Sequence, residues 1–162
     1  MRLLSLDLST KSSGYAVGEN GKLESHGCIA ASSKDVVKRI IKMRDELSEV
    51  IKNNKIDKIV MEEVRPEYNS HTNKVLMWLQ AVIVVAAYEV NPKIQCDFVG
   101  PSEWRAALKI KQGRGITRET LKPRDIQYVE SKYGITVNDD EADAICLFDA
   151  YWEKFDNEIN WE

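Results

Sequence analysis

Hydrophobic and polar positions change period along this chain, and the changes mark its elements. Leu3, Leu4, Leu6 and Leu8 form a short, largely apolar strand that carries one carboxylate, Asp7; after a turn, 12–17 reads as a second strand. Glu19-Asn20-Gly21-Lys22 is a hairpin turn, since Asn-Gly reaches positive φ at little cost, and 23–29 is then a third, antiparallel strand. From there the period lengthens. Val36, Val37, Ile40, Ile41, Met43, Leu47, Val50 and Ile51 make an apolar stripe that predicts a helix over 34–53, capped by Ser32 or Ser33. A fourth strand follows over 58–64, a polar loop with Pro66 over 65–72, and a second helix over 73–90 that is apolar almost all round. Residues 94–99 read as a fifth strand. Ser102 is the expected cap of a short helix with Trp104, Ala107 and Leu108 turned inward, and 109–117 reads as a loop holding Gly113 and Gly115. A helix beginning at Arg118 or Lys122 runs to Tyr133, where Gly134 ends it, and a last helix spans 139 to about 155. Three consecutive strands, then alternating helix and strand, then helices, predict an α/β layer order in one domain over 1–162.

Composition narrows the compartment more than the chemistry. The chain has 162 residues, 43% hydrophobic and 30% charged, enough to bury one core. Cys28, Cys96 and Cys146 are odd in number and widely spaced, which argues against a disulfide framework or a cysteine zinc site and for a reducing cytoplasm. Asp7 interrupts any signal-like start, and the longest apolar run, 75–88, contains Gln80 and reads as too short to cross a bilayer, so no membrane is expected. A net charge of −3 argues mildly against nucleic acid. The distribution of charge reverses that expectation. Arg105, Lys109, Lys111, Arg114, Arg118, Lys122 and Arg124 crowd one segment, whereas the chain after Asn138 is strongly acidic.

The carboxylate in the first strand is the chemical anomaly. A buried aspartate is costly unless something compensates it, and no cation lies within that strand. A metal ion shared with other carboxylates is the simplest compensation. Glu62 or Glu63 ends the fourth strand, and strand alternation lets only one of them face Asp7. In the last helix Asp140 and Asp143 share a face at i, i+3, as do Asp139 and Asp143 at i, i+4. Acidic residues in a first helical turn also oppose the helix dipole, so the run has a purely structural reading. Hard oxygen donors without His or Cys point to Mg²⁺ or Mn²⁺.

Leu6-Asp7-Leu8-Ser9-Thr10 with Ser13-Gly14-Tyr15-Ala16-Val17, then Val60-Met61-Glu62-Glu63-Val64, then Asp140-Glu141-Ala142-Asp143-Ala144 resembles the RuvC family of Holliday-junction resolvases. The resemblance covers nearly the whole chain and implies an RNase H-like fold, a five-stranded mixed sheet flanked by helices with three antiparallel strands followed by parallel ones. It places Asp7, Glu62, Asp140 and Asp143 on the family's four acidic residues, holding two divalent ions, Mg²⁺ or Mn²⁺, with Asp7 bridging both. It implies symmetric nicks in four-way or other branched DNA that leave 5′-phosphates, and therefore a homodimer, for which the helix over 75–90 is the candidate interface. Its basic DNA contacts match Arg105 and either Lys122 or Arg124; the basic run adds Lys109, Lys111, Arg114 and Arg118 as phosphate contacts, and Arg65 and Tyr68 stand near the place of the family's junction-probing aromatic. The family's Asp-Pro-Gly turn is Asp7-Leu8-Ser9 here, and Glu63, Val64 and Arg65 stand where the family often has Gln, Val and an aromatic. The short, drifted sequence resembles phage-encoded members.

Three other readings compete. A RuvC-like nuclease could act on RNA or on generic branched DNA. A metal-dead RNase H-like binding module has no positive support while all four acids are present. Asp7-x-x-Thr10 also resembles the phosphate hairpin of actin-like ATPases, which need a second domain.

Overall fold

The computed structural model describes residues 1–64 and 70–155, with the side chain of Phe155 excepted. The strands are β1 (Arg2–Asp7), β2 (Ser12–Glu19), β3 (Lys22–Ala30), β4 (Lys58–Glu62) and β5 (Gln95–Val99). They form one sheet in the order β3-β2-β1-β4-β5. β1 to β3 are antiparallel neighbours, while β1, β4 and β5 run parallel. This is the mixed sheet expected, and the hairpin at Asn20-Gly21 has both residues at positive φ.

Strand alternation splits the core in two. Leu4, Leu6, Ile59 and Met61 pack against α1 (Val36–Asn53) and α2 (His71–Val90). Leu3, Ala16 and Val60 lie on the opposite face, among residues of α3 (Pro101–Ala107), α4 (Arg118–Tyr133) and α5 (Asp139–Ala150). The same parity sends Asp7 and Glu62 to the α5 side, since they continue the rows Leu3, Ser5 and Lys58, Val60. Glu63 falls outside β4 and is exposed.

Several local expectations are corrected. Asp35, not Ser32 or Ser33, caps α1, its Oδ1 accepting from the amides of Val37 and Lys38. A carboxylate at this position both accepts those bonds and opposes the dipole. Val37 and Ile41 of the predicted stripe are exposed. In α3 the cap is Gly100 with Pro101 in the first turn, rather than Ser102, because Pro lacks the amide a cap would satisfy. α5 gives way at Tyr151 to a π-helical turn, Tyr151–Phe155. At 20 residues α2 is long and apolar enough to cross a membrane, contrary to the reading from its apolar run. In this fold Val75, Leu79, Ile83, Ala86 and Ala87 of α2 are buried in the protein core instead.

Candidate active site

The site forms where β1, β4 and the start of α5 meet. Asp7 is the last residue of β1, paired with Gly14 of β2, and Leu6 pairs with Met61 immediately before Glu62. α5 begins with Asn138 as cap: its Oδ1 accepts from the Glu141 amide at 2.9 Å, and Glu141 Oε2 accepts from the Asn138 amide at 3.3 Å. Two contacts seat the helix on the sheet. Ser5 Oγ donates to the Ala144 carbonyl at 2.6 Å. At Gly14 the approach is closer still, for a Cβ there would lie 1.9 Å from the Asp140 carbonyl oxygen. Only a residue without a side chain lets the first turn of α5 come this near Asp7.

The four carboxylates feel one another. Burial, then the charges of Glu62 and Asp140, push the Asp7 carboxyl up to about 7. Burial, then the charges of Asp7 and Asp125, push Asp143 up to about 9. Glu62 is raised as well, chiefly by burial. Two of the four accept hydrogen bonds from protein donors, and a third lies near a guanidinium. Trp104 Nε1 donates to Glu62 Oε2 at 2.8 Å, and Ser12 donates a short hydrogen bond to Asp140. Arg105 Nη2 stands 3.9 Å from Asp143 Oδ2. Among the described residues no three acidic, His or Cys side chains converge on a single point. The set still fits divalent cations. It offers hard oxygens only, and among the described residues the buried Asp143 Oδ1 has no hydrogen-bond partner.

Raised carboxyl values make pH a lever on the metal-free fold. The folded state holds its protons more tightly than the unfolded chain, so their stabilisation is complete below about pH 4. It is lost as pH rises through about 7 for Asp7 and about 9 for Asp143. We therefore expect the melting temperature in EDTA to fall between pH 6 and pH 9, and saturating Mg²⁺ to flatten that fall. A flat profile in EDTA would contradict the crowding of these acids.

Two cavities share Asp7, Leu8, Leu76 and Arg118 and so make one groove across the site. One, about 490 Å³, holds Glu62, Asp143 and Arg105. The other, about 410 Å³, holds Asp140, Arg39 and His71. The basic segment is not one patch. Arg118 lies on the groove. Lys122 is half-buried and paired with Asp139. Lys109, Lys111 and Arg124 line a separate cavity of about 700 Å³, with Arg124 Nη1 donating to the Lys111 carbonyl. Arg114 is exposed in the loop before α4. Arg105 also lines the groove, but it is 8% exposed and bound to Asp125. Arg65 and Tyr68 lie outside the described residues.

Sequence reasoning missed Ser12, Gly14, Trp104 and Asp125 as parts of the site. Gly14, inside a strand, carried the signal of a close backbone approach, and Asp125 stands one helical turn before the buried Val129. Ser12 and Trp104 carried none.

Comparisons with known proteins agree with this architecture. A family model for crossover junction endodeoxyribonuclease RuvC matches residues 3–119, a span that includes Asp7 and Glu62. The crossover junction endodeoxyribonuclease RuvC of Aliarcobacter butzleri is 31% identical over 118 residues, which is 69% of this chain and 70% of that protein. A Thermus thermophilus RuvC structure superposes with a TM-score of 0.75 at 16% identity, over 98% of this chain and 97% of that one. Fowlpox virus resolvase, solved with Holliday junction DNA, gives 0.60 at 15% identity over 96% and 99%. These two likenesses extend the shared fold past residue 119 to the helix that carries Asp140 and Asp143. Matched along most of its length by the family model and by a relative of clear identity, the chain belongs to the RuvC family of crossover junction endodeoxyribonucleases.

Proposed function

We propose that this chain resolves four-way DNA junctions as a metal-dependent endonuclease, nicking two symmetric strands to leave 5′-phosphates. RuvC family nucleases are metal-dependent. The observation that carries the reading for this chain is the meeting of Asp7, Glu62, Asp140 and Asp143, from three elements, in one groove with Arg118. Asp7, Glu62, Asp140 and Asp143 would hold two ions, Mg²⁺ or Mn²⁺. Bound there, such ions supply Lewis-acid stabilisation of the phosphate and a more acidic attacking water.

The chain's own side chains do the rest. Asp7 lines both halves of the groove and would help to hold both ions. Trp104 orients Glu62, Ser12 orients Asp140, and Gln80 Nε2 fixes the Glu62 carbonyl at 2.7 Å. Arg118 meets the backbone phosphate with a charge-assisted bond, in the geometry guanidinium favours. Lys109, Lys111 and Arg124 receive a more distant stretch of DNA, and Arg114 and Lys122 extend that surface; Arg65 and Tyr68 are further DNA contacts proposed from the sequence alone. A labelled four-way junction, a fork, a linear duplex and a structured RNA, each with and without Mg²⁺, test the reading. Junction cutting that needs Mg²⁺ is expected. Preferential cutting of RNA or of linear duplex would replace the substrate assigned here.

Symmetric cutting requires two sites, and α2 supports a homodimer. Met77, Trp78, Val85 and Tyr88 leave large apolar surface exposed on the face away from the core. Beside them Ala81, Val82, Val85 and Ala86 line a shallow cavity of about 320 Å³. Contiguous apolar surface on a soluble domain marks an interface. Val85→Glu is expected to cost about 2 kcal/mol or more of association, seen as a monomer in light scattering and as single nicks in place of paired cuts. The drifted sequence supports a phage-encoded form, and its three widely spaced cysteines support action in a reducing bacterial cytoplasm. Capsid or phage replication genes flanking the coding sequence would test that origin.

A further inference from the structure

One buried acid has no part in the scheme above. Asp125, in α4, is fully buried and receives Arg105 through three hydrogen bonds: Nε at 3.2 and 3.4 Å, and Nη2 at 2.9 Å. The same Nη2 stops 3.9 Å from Asp143 Oδ2, beyond hydrogen-bond range. The guanidinium also lies over the Trp104 ring, 4.1 Å from its centroid, and Trp104 donates to Glu62. A buried guanidinium between two carboxylates satisfies whichever holds it in the better geometry. Here Asp125 holds it, and Asp143 keeps an oxygen without a partner among the described residues.

We infer that Asp125 is a positioning residue of the active site, withholding Arg105 from Asp143 so that Asp143 remains open to a cation. The inference rests on the metal-holding role assigned to Asp143 above. Without the Asp125 charge the guanidinium closes the remaining gap and forms a full ion pair with Asp143, which then competes with metal. α3 thereby serves two of the four acids at once: Trp104 orients Glu62, while Arg105, held back by Asp125, leaves Asp143 free. The cost of isolating a buried arginine explains why this restraint is a carboxylate and not a neutral side chain.

Mn²⁺ binding to the whole chain without DNA, followed by the electron paramagnetic resonance signal of free Mn²⁺, tests this apart from cleavage. Asp125→Asn is expected to weaken Mn²⁺ binding at least tenfold. The double variant Arg105→Gln/Asp125→Asn replaces the ion pair by amides and is expected to return to within about threefold of the native protein, the range within which non-additive neighbours can be judged. Circular dichroism melting establishes that each variant folds. Should Asp125→Asn fail to fold, Asp125→Ser takes its place: it also removes the charge that holds the guanidinium, and the same tenfold loss is expected. Native binding by the single variant overturns the inference, as does a double variant as weak as the single one. Absence of Mn²⁺ binding by the native protein would instead overturn the metal site itself.

Discussion

Asp7→Asn is expected to abolish junction cleavage and, in metal-free buffer at pH 8, to melt at a higher temperature than the native protein. Both effects have one cause. Asp7 is the carboxylate common to both halves of the groove, and burial with the charges of Glu62 and Asp140 has already pushed it up to about 7. At pH 8 the native fold therefore carries an ionised group that would rather be neutral, and each unit of such a shift is worth about 1.4 kcal/mol. An amide of the same shape removes that repulsion but brings hydrogen-bonding needs of its own, so a net gain of roughly 1–3 kcal/mol is expected. Activity moves the other way. Losing several kcal/mol of charge stabilisation on the reacting phosphate corresponds to a rate loss of about 10³-fold or more. Melting in EDTA and in Mg²⁺, beside single-turnover cleavage, checks both. The stability gain should vanish in Mg²⁺ if Asp7 has the metal-holding role proposed for it, since the native protein would then bind ions that the variant cannot. A variant that cuts junctions at the native rate would remove Asp7 from the chemistry.

Gly14→Ala is expected to lower cleavage by about 100-fold while leaving the protein folded. The added methyl meets the Asp140 carbonyl, its carbon and the Glu141 amide, with the nearest contact 1.9 Å away. These are backbone atoms at the start of a helix, and no side-chain rotation relieves the clash. α5 must lift from β2 at its first turn. Its later turns stay anchored by the buried Ala144, Ile145, Phe148 and the Ser5 bond. Overpacking of this kind costs about 1–3 kcal/mol, whereas displacing Asp140 and Asp143 by about 1 Å relative to Asp7 costs about two orders of magnitude in rate. Loss of rate that exceeds loss of stability is the expected signature. Weaker Mn²⁺ binding at unchanged DNA affinity would place the defect in the carboxylate geometry.

The four acids were visible from their positions: one in an apolar strand, one at a strand end, two on a helix face. Choosing among neighbours was a different matter. Periodicity left Glu62 and Glu63 open, and the resemblance chose Glu62. The register of β4 on β1 gives the physical reason, since Glu62 continues the row of Lys58 and Val60 on the α5 side. The basic residues misled in the opposite direction. Their clustering in the chain suggested a continuous phosphate grip. Folding buries Arg105 against Asp125, pairs Lys122 with Asp139, and turns Lys109, Lys111 and Arg124 toward a different cavity from Arg118.

The sequence alone determined the strand-rich first half, the Asn-Gly hairpin, the helix periods and the presence of carboxylates without a local partner, because those signals come from neighbours within a few residues. The tertiary structure decided which carboxylates share a groove, which cations are free to meet DNA, and how near α5 comes to β1. These depend on strand register, on the missing side chain at Gly14 and on pairings between residues far apart in the chain, such as Ser12 with Asp140 and Trp104 with Glu62. Local pattern specifies elements. The distance between two charges is set only when those elements pack.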